Sequence, residues 1–265
     1  MTMTAYYNEI DPFAAQWLRN LIAAGHIAPG VVDERSIEDV TPDDLRGFTQ
    51  CHFFAGVGVW SFALRRAGWP DDKPVWTGSC PCQPFSAAGK GNGFADERHL
   101  WPAFFHLISE CKPGVIFGEQ VASKDGLAWL DLVQTDLEAT DYATAAVDLC
   151  AAGFGAPHVR QRLYWVGDPA CAGKQGARGC EQFVLREVGK IKEQCPISPD
   201  VASRFFSDWE PKQGADKNTR MLPPDFGEIL DDSAGRVGKL RAYGNAIVAP
   251  VAEEFIRAYM LITEE

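Results

Sequence analysis

The chain has 265 residues, 46% of them hydrophobic, and a formal net charge of −11. That length fits one large domain, or one domain with a small lobe, around a substantial core. The charge argues against a general polyanion binder, and no apolar run approaches a membrane span.

The charge is unevenly placed. Residues 1–50 hold eight acids against three bases, whereas residues 158–220 hold eleven bases against eight acids. A nucleic-acid partner would face the later segment. The N-terminus has no basic, apolar leader, so a cytoplasmic protein is expected. The eight cysteines are irregularly spaced, which suits reduced thiols better than a disulfide framework.

Residues 5–25 read as a strand end and then a helix, with Phe13, Trp17, Leu21 and Ile22 at helical spacing and Gly25 as a stop. Asn8-Glu9-Ile10-Asp11 lies between the two. An acid at a strand's carboxyl end suits ribose hydroxyls in nucleotide-type folds. Val31-Val32-Asp33 is a second short apolar run ending in an acid. A further strand, Cys51 to Phe54, passes through Gly56-Val57-Gly58 into a helix presenting Trp60, Leu64 and Ala67. Those glycines permit a tight turn and close approach of a ligand to the backbone.

A short strand, Pro74 to Thr77, then enters the turn Gly78-Ser79-Cys80-Pro81-Cys82-Gln83-Pro84. Two prolines stiffen the loop around Cys82, and a thiol displayed at a strand's carboxyl end suits nucleophilic chemistry. A metal loop is the competing reading. Zinc pairs usually leave two to four residues between ligands, and no second pair at such spacing accompanies Cys80 and Cys82.

Gly89, Gly91 and Gly93 predict a loop that closes over substrate. Residues 101–111 read as a helix, with Leu100 at its start. Val115 to Val121 reads as a buried strand carrying Glu119, Trp129 to Leu137 as a helix, and Tyr142 to Leu149 as a strand or short helix. Arg160 and Arg162 precede the apolar strand Leu163 to Val166, and alternation places them on one face. Residues 168–235 are polar and poorly periodic. Asn245-Ala246 leads into a last helix, Val251 to Ile262.

Pro81-Cys82-Gln83-Pro84-Phe85-Ser86, with Gly93-Phe94-Ala95-Asp96 beyond it, resembles the nucleophile motif of the DNA cytosine-5 methyltransferases. Further motifs match along most of the chain. Phe54, Gly56, Val57 and Gly58 resemble the first S-adenosylmethionine motif. Glu9 and Ile10 resemble the second, whose acid holds ribose and whose next residue packs on adenine. Asp33 resembles the third, whose acid meets the adenine amino group. Glu119 resembles the acid that bonds the target base, although Gln120 stands where the family has Asn. Arg160 and Arg162 resemble the paired arginines, with His158 in the Gln position. Asn245 and Ala246 resemble the last cofactor motif, in which Ala246 replaces a Ser.

The resemblance implies a mostly parallel Rossmann-like α/β methyltransferase sheet with a small target-recognition lobe. It implies a core at 1–167, the lobe at 168–235, and a return to the core at 236–265. Cys82, Glu119, Arg160 and Arg162 would be catalytic. Phe54, Gly56, Val57, Gly58, Glu9, Ile10, Asp33, Pro81, Leu100, Asn245 and Ala246 would hold S-adenosylmethionine. The partner would be double-stranded DNA, with no membrane, no metal, a monomeric enzyme, and a restriction endonuclease as companion in a bacterial or phage-infected cell.

The order departs from the family. The candidates for motifs two and three precede motif one, and Trp69 to Gly78 is too short to hold a strand, a helix and another strand. A circular permutation is expected; the alternative is a degenerate cofactor site with Glu9 and Asp33 as coincidences. Other activities kept open are methylation of tRNA cytosine, a catalytically silent DNA-binding homologue, and a thiol hydrolase or redox enzyme.

Overall fold

A computed structural model describes residues 4–81, 100–156, 158–169, 210–213, 219–222 and 246–263. Among them, seven strands form one sheet. In chain order the elements are β1 (Ala5–Asn8), α1 (Pro12–Ala23), β2 (Gly30–Asp33), β3 (Gln50–Phe53) and α2 (Val59–Ala67). Then come β4 (Val75–Gly78), α3 (Trp101–Cys111), β5 (Ile116–Val121), α4 (Lys124–Glu138), β6 (Ala143–Cys150) and β7 (Gln161–Asp168). A hairpin, β8 (Glu210–Gln213) with β9 (Thr219–Leu222), and a final helix, α5 (Ala249–Thr263), complete the set.

The spatial order is β2-β1-β3-β4-β5-β7-β6. The first five strands run parallel, and β7 pairs antiparallel with both β5 and β6. Doubly wound nucleotide folds place their first strand third in such a sheet, flanked by the second and the fourth. Here the strand in that place is β3, the one followed by the glycine turn. The strands in the second and third roles are β1 and β2, which come earlier in the chain.

Two faces are covered. Helices α2 and α5 pack with Phe117, Tyr164 and Val166 on one side, and α1 joins the same side through Leu18 against Tyr7. On the other side α3 and α4 bury Trp101, Phe104, Trp129 and Trp165 with Phe53 and Trp76. Gly118 exists for this face: a Cβ there would come within 2.0 Å of the Trp165 indole.

Local chemistry sets the helix starts. Asp11 caps α1 by accepting from the Phe13 and Ala14 amides, with Pro12 in the first turn. Its buried residues are Ala14, Ala15 and Leu18, and Leu21 and Ile22 pack against the Leu18 cluster, so the core face keeps the second half of the predicted positions and replaces the first. The two alanines let the helix close on the sheet, while Phe13 and Trp17 pack together at its margin. Helix α4 starts five residues before the predicted Trp129, because Ser123 caps it by accepting from the Gly126 amide. The segment 143–150 is a strand, paired along its full length with β7.

Candidate active site

The carboxyl ends of β1, β3, β4 and β5 and the amino end of antiparallel β7 all lie at one edge of the sheet. That edge carries the described candidate residues, in two groups.

The first group surrounds the glycine turn after β3. Phe54, Gly56 and Gly58 have φ of 52°, 55° and 79°, in the left-handed region that glycine tolerates and Phe54 does not prefer. Glu9, just beyond β1, binds this turn. Its Oε2 accepts from the Gly56 amide at 2.6 Å and its Oε1 from the Asp11 amide at 2.9 Å. A Cβ on Gly56 would meet open space, so only its backbone conformation demands glycine. Gly58 also needs its missing Cβ, which would meet Leu18 at 2.9 Å. Ile10, beside Glu9, is 65% exposed. An anchored acid, a turned backbone with space before it and an uncovered aliphatic side chain suit a ribose, an amino-acid tail and an adenine, so these residues fit S-adenosylmethionine. Leu100 is partly buried at the start of α3 and, like Phe54, packs against the core cluster of that face.

Asp33, the last residue of β2, is hydrogen-bonded to its own chain. Its Oδ1 accepts from the Arg35 amide at 2.9 Å and from Arg35 Nε at 3.1 Å. Its Oδ2 accepts from Tyr6 at 2.7 Å and from Arg35 Nη2 at 2.6 Å. These bonds outweigh the desolvation that opposes them, and hold the carboxyl below its ordinary pKa.

The second group is ionic and buried. Glu119 on β5 is 8% exposed, and its Oε1 accepts from Arg162 Nε at 2.8 Å. Glu119 stands opposite Tyr164 and Arg162 opposite Val121 in the antiparallel register, so the two side chains reach each other diagonally. Burial raises the pKa of Glu119, and Arg162, Arg160 and the Ser79 hydroxyl oppose that rise without cancelling it. Arg160 donates through Nη2 to the Ala246 carbonyl at 3.0 Å, linking the site to the approach to α5. Burial and the neighbouring Arg162 lower the pKa of Arg160. His158, in the Gln position of the motif, is exposed.

Two participants escaped the sequence reading. The Ser79 hydroxyl bonds Glu119 and in turn accepts from Trp60 Nε1 at 3.0 Å. Tyr164, buried on the Glu119 face, is bonded to the Val248 backbone. Ser79's position one step past β4 was the available signal; nothing in the sequence paired it with Trp60. Gln120 keeps its side-chain oxygen at home, accepting from the Val121 amide at 2.9 Å.

Pro81 is exposed, directly after the β4 turn. Cys82 and the glycine-rich loop after it lie outside the described residues, as do Asn245 and most of the expected lobe.

Residues 68–170 match the C-5 cytosine-specific DNA methylase family. This segment holds β4, β5, β7 and the Glu119–Arg162 pair. Among curated relatives, Type II methyltransferase M.HhaI of Haemophilus parahaemolyticus is 35% identical over 99 residues, 36% of this chain and 30% of the relative. Type II methyltransferase M.PspPI of Psychrobacter sp. (strain TA137) is 28% identical over 173 residues, 49% of this chain and 42% of the relative. The chain thus spans less than half the length of these relatives. A solved structure described as a DNA modification methyltransferase encoded within an E. coli prophage superposes with a TM-score of 0.53, covering 98% of this chain and 93% of that one. At 15% identity it shows the fold alone, a mostly parallel α/β sheet. Among the described residues, no helix is long and apolar enough to cross a membrane.

Proposed function

We propose that this protein transfers a methyl group to C5 of a cytosine in double-stranded DNA, through a covalent bond between Cys82 and C6. The observation that carries the reading is the buried Glu119–Arg162 pair, bonded to Ser79 three residues before Cys82. S-adenosylmethionine supplies the electrophilic methyl group.

Cytosine C5 is a weak nucleophile. The Cys82 thiolate adds to C6 and pushes electron density onto C5, which takes the methyl group. Loss of the C5 proton then returns the electron pair to the ring and expels Cys82. Glu119, whose raised pKa favours holding a proton, serves N3 and the exocyclic amine while negative charge develops on the ring. Arg162 holds O2, and Arg160 supports it from the second position. A cytosine stacked in a duplex cannot reach a pair this buried, so the base flips out.

The sheet supports a permuted chain. The strand with the glycine turn has the spatial place of a first strand, yet follows two others in sequence. The family match begins at residue 68, after that turn. The same reading makes the enzyme a monomer in a bacterial or phage-infected cytoplasm, with a restriction endonuclease as companion. It gives residues 168–235 to target recognition.

Trapping tests the covalent step. In DNA with 5-fluorocytosine at the methylated position, C5 carries no proton to lose, so a denaturant-stable protein–DNA adduct should accumulate. Tryptic mass mapping should place it on Cys82. Methyl transfer without any adduct, or an adduct unaffected by Cys82→Ala, would reject the mechanism.

A further inference from the structure

We propose that the Asp33 carboxylate does not read the 6-amino group of the cofactor's adenine, and is instead a structural tie at that end of the site. The inference rests on S-adenosylmethionine as cofactor. An ionised carboxylate offers about four lone-pair directions. Four donor groups converge on Asp33: the Arg35 amide, Arg35 Nε, Arg35 Nη2 and the Tyr6 hydroxyl. Nε is shared between the oxygens, at 3.1 and 3.0 Å. The acid is filled from its own chain before any ligand arrives.

Displacing these donors is unfavourable. Any bond to a carboxylate is charge-assisted, but the Arg35 guanidinium adds a full counter-charge and a planar fork of donors, which a neutral adenine amino group lacks. Arg35 is also held from its far side, by Asp44 at 3.2 Å and the Asp39 carbonyl at 3.3 Å. Asp44 is itself fixed by the Thr41 amide and hydroxyl, both at 2.8 Å. The guanidinium is thus shared between two acids, with one face open to solvent. Asp33 joins β1, the end of β2 and the short 3-10 turn at Pro42–Leu45 into one network. Nearby, beyond the end of β1, the aliphatic Ile10 is exposed.

The test is calorimetric binding of S-adenosylhomocysteine and of its 6-oxo analogue, S-inosylhomocysteine, to the full chain and to Asp33→Asn. The proposal expects the ratio of the two dissociation constants to stay within about twofold between wild type and variant. A carboxylate reading the amino group would make that ratio collapse by about tenfold or more in the variant, and this result would overturn the proposal. Should Asp33→Asn not fold, a crystal structure of the wild type with S-adenosylhomocysteine decides. An intact Asp33–Arg35 fork with the amino nitrogen elsewhere supports it. An amino nitrogen within about 3.2 Å of an Asp33 oxygen overturns it. Wild type that binds neither compound would remove the cofactor reading itself, and the inference with it.

Discussion

Two strand-end acids in this molecule each pair with an arginine, and the two pairs do opposite things. Asp33 meets Arg35 two residues along the same chain segment, and the Arg35 side chain is 45% exposed. Glu119 meets Arg162 across the β5–β7 ladder, with both side chains at least four-fifths covered. The local pair completes its own hydrogen bonding, so the carboxylate is stabilised as an ion and its pKa falls. The long-range pair is buried with a second arginine, a hydroxyl and a tyrosine, and desolvation wins, so the pKa of Glu119 rises. The same two functional groups make a lock in one place and, in the other, a carboxyl whose ionisation is opposed by burial. Burial decides which.

Breaking the buried pair should have the largest effect. Arg162→Ala leaves Glu119 covered and without its closest counter-charge. Loss of one partner of a buried pair is strongly destabilising, and the partial exposure of Arg162 reduces this to about 2–3 kcal/mol, readable by urea unfolding. Methyl transfer should fall by about 10²–10³ in kcat, the scale for losing one donor to a developing charge. Wild-type stability with lost activity would make Arg162 a substrate contact alone.

Glu119→Gln sharpens the contrast through pH. The folded pKa of Glu119 lies above its unfolded value, so ionisation opposes folding at neutral pH, and this penalty disappears as pH falls through the folded value. Asp33 has the reverse sign: its contribution is present above the unfolded pKa and is lost as pH falls through the lowered folded one. In thermal melts from neutral pH to pH 3, the stability of Glu119→Gln relative to wild type should decline toward acid. The deficit of Asp33→Asn should shrink instead. Parallel pH trends in the two variants would contradict the assignment. The smallest effect belongs to Arg35→Ala, about 0.5–1 kcal/mol for a half-exposed pair.

Much of this edge was legible because strand ends and their following residues carry the motifs. Helix α3 falls on the predicted 101–111, and Glu119, Arg160 and Arg162 do gather in one place. Hydrophobic periodicity could not say that β7 runs antiparallel, since alternation is the same in either direction. In α1 it found Leu21 and Ile22 but not the first turns, where small alanines rather than the large Phe13 and Trp17 are buried. The filling of Asp33 depended on Arg35 folding back on its own strand end, and the Trp60–Ser79–Glu119 chain on three separate elements. Such contacts are written in three dimensions only.

The most direct test of the central claim is nucleoside mass spectrometry of DNA from a cytosine-methylation-free host expressing this chain, beside a Cys82→Ala control. The account predicts 5-methylcytosine with the wild type and none with the control. Soluble, cofactor-binding wild type that leaves DNA unmodified while methylating tRNA, or a control as active as the wild type, would contradict it.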